Sequence, residues 1–85
     1  MINNITRENQ KGKKITIIGL KKSGYAAALL GNELGAKIFV SELNKDEESI
    51  NKKNALIDKG IDCELGKHTN KIYDADYWVI SPGVP

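Results

Sequence analysis

Apolar and polar positions fall into blocks along this chain, and the period changes from block to block. Lys14 is followed by the β-branched run Ile15-Thr16-Ile17-Ile18, closed by Gly19. A short apolar run without strict alternation predicts a strand buried on both faces. The period then lengthens. Ala26, Leu29, Leu30 and Leu34 stand at i, i+3, i+4 and i+8, which predicts the inner face of an amphipathic helix. Ser23 is placed to cap that helix, and Gly35 to close it in a left-handed conformation.

The unit repeats. Lys37 to Ser41 reads as a second strand. Residues 46–59 read as a second helix, with Asp46, Glu47 and Glu48 in its first turn, where the helix dipole favours acids. Ile50, Asn54 and Ile57 are its expected inner face, and Gly60 ends it. Ile61 to Leu65 predicts a third, short strand. Residues 66–70 read as a loop and 71–76 as room for one helical turn. Tyr77-Trp78-Val79-Ile80 predicts a fourth strand, stopped by Ser81-Pro82-Gly83. Strands alternating with helices across short linkers imply right-handed crossovers and a parallel sheet. The expected fold is α/β: a Rossmann-like three-layer domain whose four parallel strands run in the order 3-2-1-4. Two crossovers extend one way from the first strand, and the third crosses back. Residues 1–12 form a polar lead-in, and residues 13–85 form the domain.

Composition narrows the function classes. Thirteen Lys and Arg against eleven Asp and Glu give a net charge of +2, with the signs interspersed. No basic stripe argues for nucleic acid. Lys11, Lys13 and Lys14 cluster before the first strand and read as a solvated lead-in. Cys63 is the one cysteine, so no internal disulfide can form, and a reducing compartment fits. The amino terminus lacks the pattern of a signal peptide. The longest apolar run, Ala26 to Leu30, is far below the roughly 20 residues that span a bilayer. A cytoplasmic protein with no membrane or nucleic-acid partner is expected.

The candidate chemistry lies in the connections. Gly19-Leu20-Lys21-Lys22-Ser23-Gly24 joins a strand to a helix, so backbone N–H groups and a helix N-terminus point at one spot. Measured against the dinucleotide pattern G-x-G-x-x-G, the outer glycines are present and Lys21 replaces the middle one. Glu42 ends the second strand, 18 residues beyond Gly24, close to where dinucleotide folds place a ribose-binding acid. A carboxylate there could equally accept from a base N–H, or be an exposed strand end. Ser81 to Pro85 follows the fourth strand at its carboxyl end, where ligands of open α/β sheets bind. Gly60 and Gly66-Lys67-His68-Thr69 imitate a P-loop, but the glycines are six apart and His68 takes the hydroxyl position. No ATP site and no metal site are expected in these residues.

These segments together carry a resemblance. Ile17 to Gly24, Val40-Ser41-Glu42, and above all Ala75-Asp76-Tyr77-Trp78-Val79-Ile80-Ser81-Pro82-Gly83-Val84-Pro85 look like the N-terminal domain of the Mur ligases, nearest to the D-glutamate-adding branch. The similarity runs from about Lys11 to Pro85. It implies a domain that holds the UDP of UDP-N-acetylmuramoyl-L-alanine, with no catalytic residue of its own. ATP and Mg2+ would act in a second domain and D-glutamate would bind a third, with amide formation passing through an acyl phosphate. Carried over by position, Gly19, Lys22, Ser23 and Gly24 fall on the diphosphate turn. Glu42 falls where an Asp commonly reads the uracil, and Asn44 where some members carry Arg. Ser81, Pro82 and Gly83 match the second loop lining the nucleotide. The fourth strand has no helix after it, so these residues are expected to be part of a longer chain. An NAD(P)-binding Rossmann domain, of a dehydrogenase or a nucleotide-sensing module, is the second reading; Lys21 and the S-P-G-V-P ending argue against it. A ligand-free interaction module is the third.

Overall fold

The computed structural model describes residues 11–81. Strand β1 (Lys14–Ile18) leads into helix α1 (Lys22–Glu33), strand β2 (Lys37–Glu42), helix α2 (Glu47–Asp58) and strand β3 (Asp62–Leu65). A 3-10 turn (Asn70–Tyr73) then precedes strand β4 (Tyr77–Ile80). The four strands form one sheet in the order β3-β2-β1-β4, and all three pairings are parallel. Fold class and strand order are those expected from the sequence. Gly35 and Gly60 follow the helices with positive φ of 91° and 81°, as the periodicity implied. Of the lead-in, residues 1–10 lie outside the described residues, and the Gly12 N–H donates to the Gly35 carbonyl at 3.0 Å.

Alternation along the strands assigns the two faces of the sheet. Ile15, Ile17, Ile38 and Val40 pack with Leu20, Ala28, Leu56 and Ile61 into the core beneath the helices. Thr16 points the other way, and its hydroxyl donates to the Ile72 carbonyl of the 3-10 turn at 2.9 Å. Trp78, opposite Thr16 in register, donates its indole N–H to the same carbonyl, also at 2.9 Å. Helices therefore cover one face, and the 70–73 turn supplies the third layer on the other. Lys14 ties the return to β4 into place. Its N–H donates to the Asp76 carboxylate at 2.8 Å, and its ammonium pairs with Asp74 at 3.2 Å.

Three local expectations are corrected. Ser23 does not cap α1: the helix starts two residues earlier than such a cap would set, with Lys21 as N-cap and no side-chain cap. The inner face of α1 is not the leucine stripe. Gly24 and Ala28 are buried, Leu29 and Leu34 partly so, while Ala26 is exposed and Leu30 is 51% exposed. Small residues win because a crossover helix must lie close to its strands. A Cβ on Gly31 would already meet Ile38 Cδ1 at 2.7 Å. In α2 the buried positions are Ser49 and Leu56, seven apart, whereas Ile50 and Ile57 are 45% and 49% exposed and Asn54 faces solvent. The cap decides this. Asp46 lies outside the helix as its N-cap and accepts from the Ser49 N–H at 2.9 Å, turning that stripe inward.

Cys63 packs against the core on β3. Burial pushes its thiol up to about 11, with Glu42 and Glu64 adding to the effect against Lys53. At pH 8 the thiolate fraction is then about one in a thousand, against about a quarter for a free cysteine. Iodoacetamide should therefore alkylate the folded protein about 250-fold more slowly than it alkylates glutathione. Equal rates, followed by mass spectrometry, would contradict the buried setting.

Candidate functional site

The carboxyl ends of β1, β2 and β4 meet at one place. The Gly19 N–H donates to the Ser41 carbonyl at 2.8 Å, and the Ser81 N–H donates to the Ile18 carbonyl at 2.8 Å. This juxtaposes Gly19, Glu42 and Ser81, as the switch-point geometry requires. Pro82 and Gly83, also candidates, lie outside the described residues.

The glycine turn brings α1 into the same corner. Gly19 has φ of +103°, a conformation that side chains disfavour. A Cβ on Gly24 would sit 2.1 Å from the Gly19 carbonyl oxygen. Both outer glycines are thus needed so that the chain can double back and start a helix directly above the strand tip. Lys22 and Ser23, both exposed, form the first turn of that helix. The first-turn N–H groups of Lys22, Ser23 and Gly24 have no intrahelical acceptor. At α2 and at the 3-10 turn, Asp46 and Thr69 cap the corresponding groups; at α1 no side chain does. The end of the helix dipole and its outermost N–H groups are left facing outward beside Ser81. Ser81 is 2% exposed, and its hydroxyl has no hydrogen-bond partner among the described residues. A buried polar group of that kind is uncommon.

Glu42 departs from one of the sequence expectations. It is not an exposed strand end, being 8% exposed. One carboxylate oxygen accepts from the Leu20 N–H at 2.6 Å, and the other from the Asn44 N–H at 2.7 Å. Its own carbonyl accepts from Gly66 at 2.8 Å. Glu42 therefore braces the glycine turn, the β2–α2 loop and the exit of β3 at once. Asn44 lies at the mouth of a small cleft lined by Leu20, Lys21, Glu42, Asp46 and Ser49 among others. Across it, hydrogen bonds from Ser49 and, more weakly, the charge of Lys21 hold the Asp46 carboxyl below its ordinary range.

A second polar cluster escaped the sequence reading. Fully buried Ser41 donates to the Glu64 carboxylate at 2.5 Å and lies 2.6 Å from His68 Nδ1. A hydroxyl has one proton, so with it given to Glu64, Nδ1 of His68 must be the donor in the second contact. The Thr69 N–H and hydroxyl complete the shell around Glu64 at 2.8 and 2.6 Å. Partial burial raises the Glu64 carboxyl, but the bonds from Ser41 and Thr69, with the charge of His68, outweigh it and leave the group below its ordinary value. The cluster fastens the 66–69 loop under the strand tips. His68, which stands alone in the sequence, is thereby an anchor. Among the described residues, no three His, Cys, Asp or Glu are placed to share a metal ion, and no helix is long and apolar enough to cross a membrane.

Comparison with known proteins finds relatives over nearly the whole chain. A family model described as the MurD N-terminal domain matches residues 14–85. The UDP-N-acetylmuramoylalanine--D-glutamate ligase of Chloroherpeton thalassium is 46% identical over 81 residues, which is 95% of this chain and 17% of that protein. The enzyme of the same name from Chlorobium limicola is 50% identical over 74 residues, 87% of this chain and 16% of that protein. That from Koribacter versatilis is 41% identical over 76 residues, 88% of this chain and 17% of that protein. The chain spans about one sixth of the length of these curated relatives. With the parallel 3-2-1-4 sheet, the glycine turn above β1 and the family match over residues 14–85, the chain belongs to the MurD N-terminal domain family.

Proposed function

We propose that this domain holds the UDP moiety of UDP-N-acetylmuramoyl-L-alanine within an ATP-dependent ligase that adds D-glutamate in peptidoglycan synthesis. The observation that carries the reading is the pairing of an uncapped helix N-terminus with the buried Ser81 hydroxyl, which has no partner among the described residues, at the strand tips. A diphosphate supplies what both lack: anionic oxygens for the helix end and an acceptor for the hydroxyl. In this reading Gly19 and Gly24 shape the turn, and Lys22 and Ser23 meet the diphosphate. Glu42 and Asn44 border the uracil, and Ser81 lines the opposite side. The exposed Lys21 offsets by its charge the close approach that a middle glycine would give.

The domain's part in amide formation is binding. Fixing the nucleotide end of the substrate orients its far end for chemistry performed elsewhere, and none of these residues is catalytic. ATP, Mg2+ and D-glutamate would engage parts of the ligase that these 85 residues do not include. A cytoplasmic location follows from the same reading.

Titrating the full-length protein with UDP and, separately, with NAD while following backbone amide shifts tests this. UDP should move Lys21 to Gly24, Asn44 and Ser81, and NAD should leave them in place. Movement with NAD and none with UDP would replace the proposal by the dinucleotide reading. Silence with both would leave an interaction module.

A further inference from the structure

The turn between β1 and α1 is gripped from a direction that the glycine motif does not involve. Leu20, the residue after Gly19, is 2% exposed, and its N–H is held by Glu42 as described. Its carbonyl is met by the Lys52 ammonium at 3.4 Å, reaching across from the middle of α2. Lys52 is itself held. Its ammonium pairs with Glu48 one turn earlier at 3.2 Å and lies 5.7 Å from the centre of the Tyr25 ring on α1. Its side chain is 22% exposed, against 76% for Glu48, so the cation is largely withdrawn beneath the turn.

The direction of this grip matters. No peptide bond among the described residues is cis, and in a trans peptide the carbonyl and the following N–H point opposite ways. With the Leu20 carbonyl turned toward α2, the Lys21 N–H must point away from α2. Lys21 is the N-cap of α1, so that N–H joins the row of first-turn N–H groups at the helix end. Flipping this one peptide would replace an N–H with a carbonyl oxygen where an anion is to bind.

We infer that Lys52 is a positioning residue for the phosphate turn: by holding the Leu20 carbonyl, it keeps the Leu20–Lys21 peptide oriented with its N–H toward the bound diphosphate. The inference rests on the UDP-binding reading above. It separates Lys52 from a mere packing role between α1 and α2, because a packing residue would affect stability without distinguishing ligands that differ only in their phosphates.

The test compares wild type, Lys52→Met and Lys52→Arg in the full-length protein, using UDP and uridine as probes by calorimetry or competition. Methionine keeps the stem and removes the charge; arginine keeps the charge. Lys52→Met should weaken UDP by about three- to tenfold, the scale of one weak charge-assisted bond. Uridine should bind as in wild type, with the melting temperature little changed, and Lys52→Arg should retain UDP within about twofold. Equal weakening of UDP and uridine, unchanged UDP binding by Lys52→Met, or a loss in Lys52→Arg as large as in Lys52→Met would each overturn the role while leaving the UDP site standing. Failure of wild type to bind UDP would overturn both.

Discussion

Gly24→Ala should both destabilise the domain and disable its nucleotide turn. The added methyl would lie 2.1 Å from the Gly19 carbonyl oxygen and 3.0 Å from its carbon. Both atoms are backbone, in a residue whose N–H is bonded to Ser41 and whose φ is +103°. Neither side of the contact can yield without lifting α1 off the strand tip. Overpacking of this kind costs about 1–3 kcal/mol and sometimes more, and the rigidity here places Gly24→Ala at the upper end. UDP affinity should fall by tenfold or more, since about 1.4 kcal/mol of misplaced contacts suffices for that. Gly31→Ala is the internal comparison. Its methyl would meet the tip of the Ile38 side chain at 2.7 Å, and a flexible side-chain end can move, so its cost should be smaller and UDP binding unaffected. Urea denaturation and UDP titration of both variants check this. A Gly24→Ala protein as stable and as tight-binding as wild type would show that the close approach is not required.

Glu42→Ala is the second large effect, and it should appear first in stability. Removing the carboxylate leaves the Leu20 and Asn44 N–H groups, held at 2.6 and 2.7 Å, without their acceptor. Bonds to a charged group contribute about 1.5–3 kcal/mol each, so a loss of about 3 kcal/mol or more is expected. Glu42→Gln keeps one acceptor oxygen and should lose roughly half as much. UDP binding should weaken in both, by about ten- to 150-fold for alanine if the side chain also meets the base. Chemical denaturation measures the first effect and calorimetry with UDP the second. If Glu42→Ala unfolds at the same denaturant concentration as wild type, the bracing role is wrong. If it is destabilised yet binds UDP undiminished, the uracil contact is wrong and the brace remains.

The same residue shows where sequence reasoning stopped. Glu42 drew notice because an acid at the end of a second strand has a known use in nucleotide folds, and the structure does place it at the meeting of strand tips. The sequence left its side chain either to a ligand or to solvent at an exposed strand end. The partners it takes are backbone N–H groups, one of them 22 residues away. Every residue carries such a group, so no spacing of side-chain types can announce the bond. Ser41, Glu64 and His68 were missed for a related reason: each is ordinary alone, and they become a cluster only when β2, β3 and the 66–69 loop are side by side.

What the sequence determined by itself is the local order. Strand and helix periods, glycines after the helices and short linkers imply crossovers of one hand, and these leave the order β3-β2-β1-β4. Such signals lie within a few residues of each other, and chain chirality does the rest. Tertiary structure decided how near the elements come. It turned Gly24 and Ala28 of α1 inward in place of Ala26 and Leu30, and Ser49 and Leu56 of α2 in place of Ile50 and Ile57. It also gave Lys52 a carbonyl to hold. The physical reason is one of distance. A hydrophobic period reports which side of a helix is apolar, whereas close packing rewards whichever side lets backbone approach backbone, and that depends on residues far away in the chain.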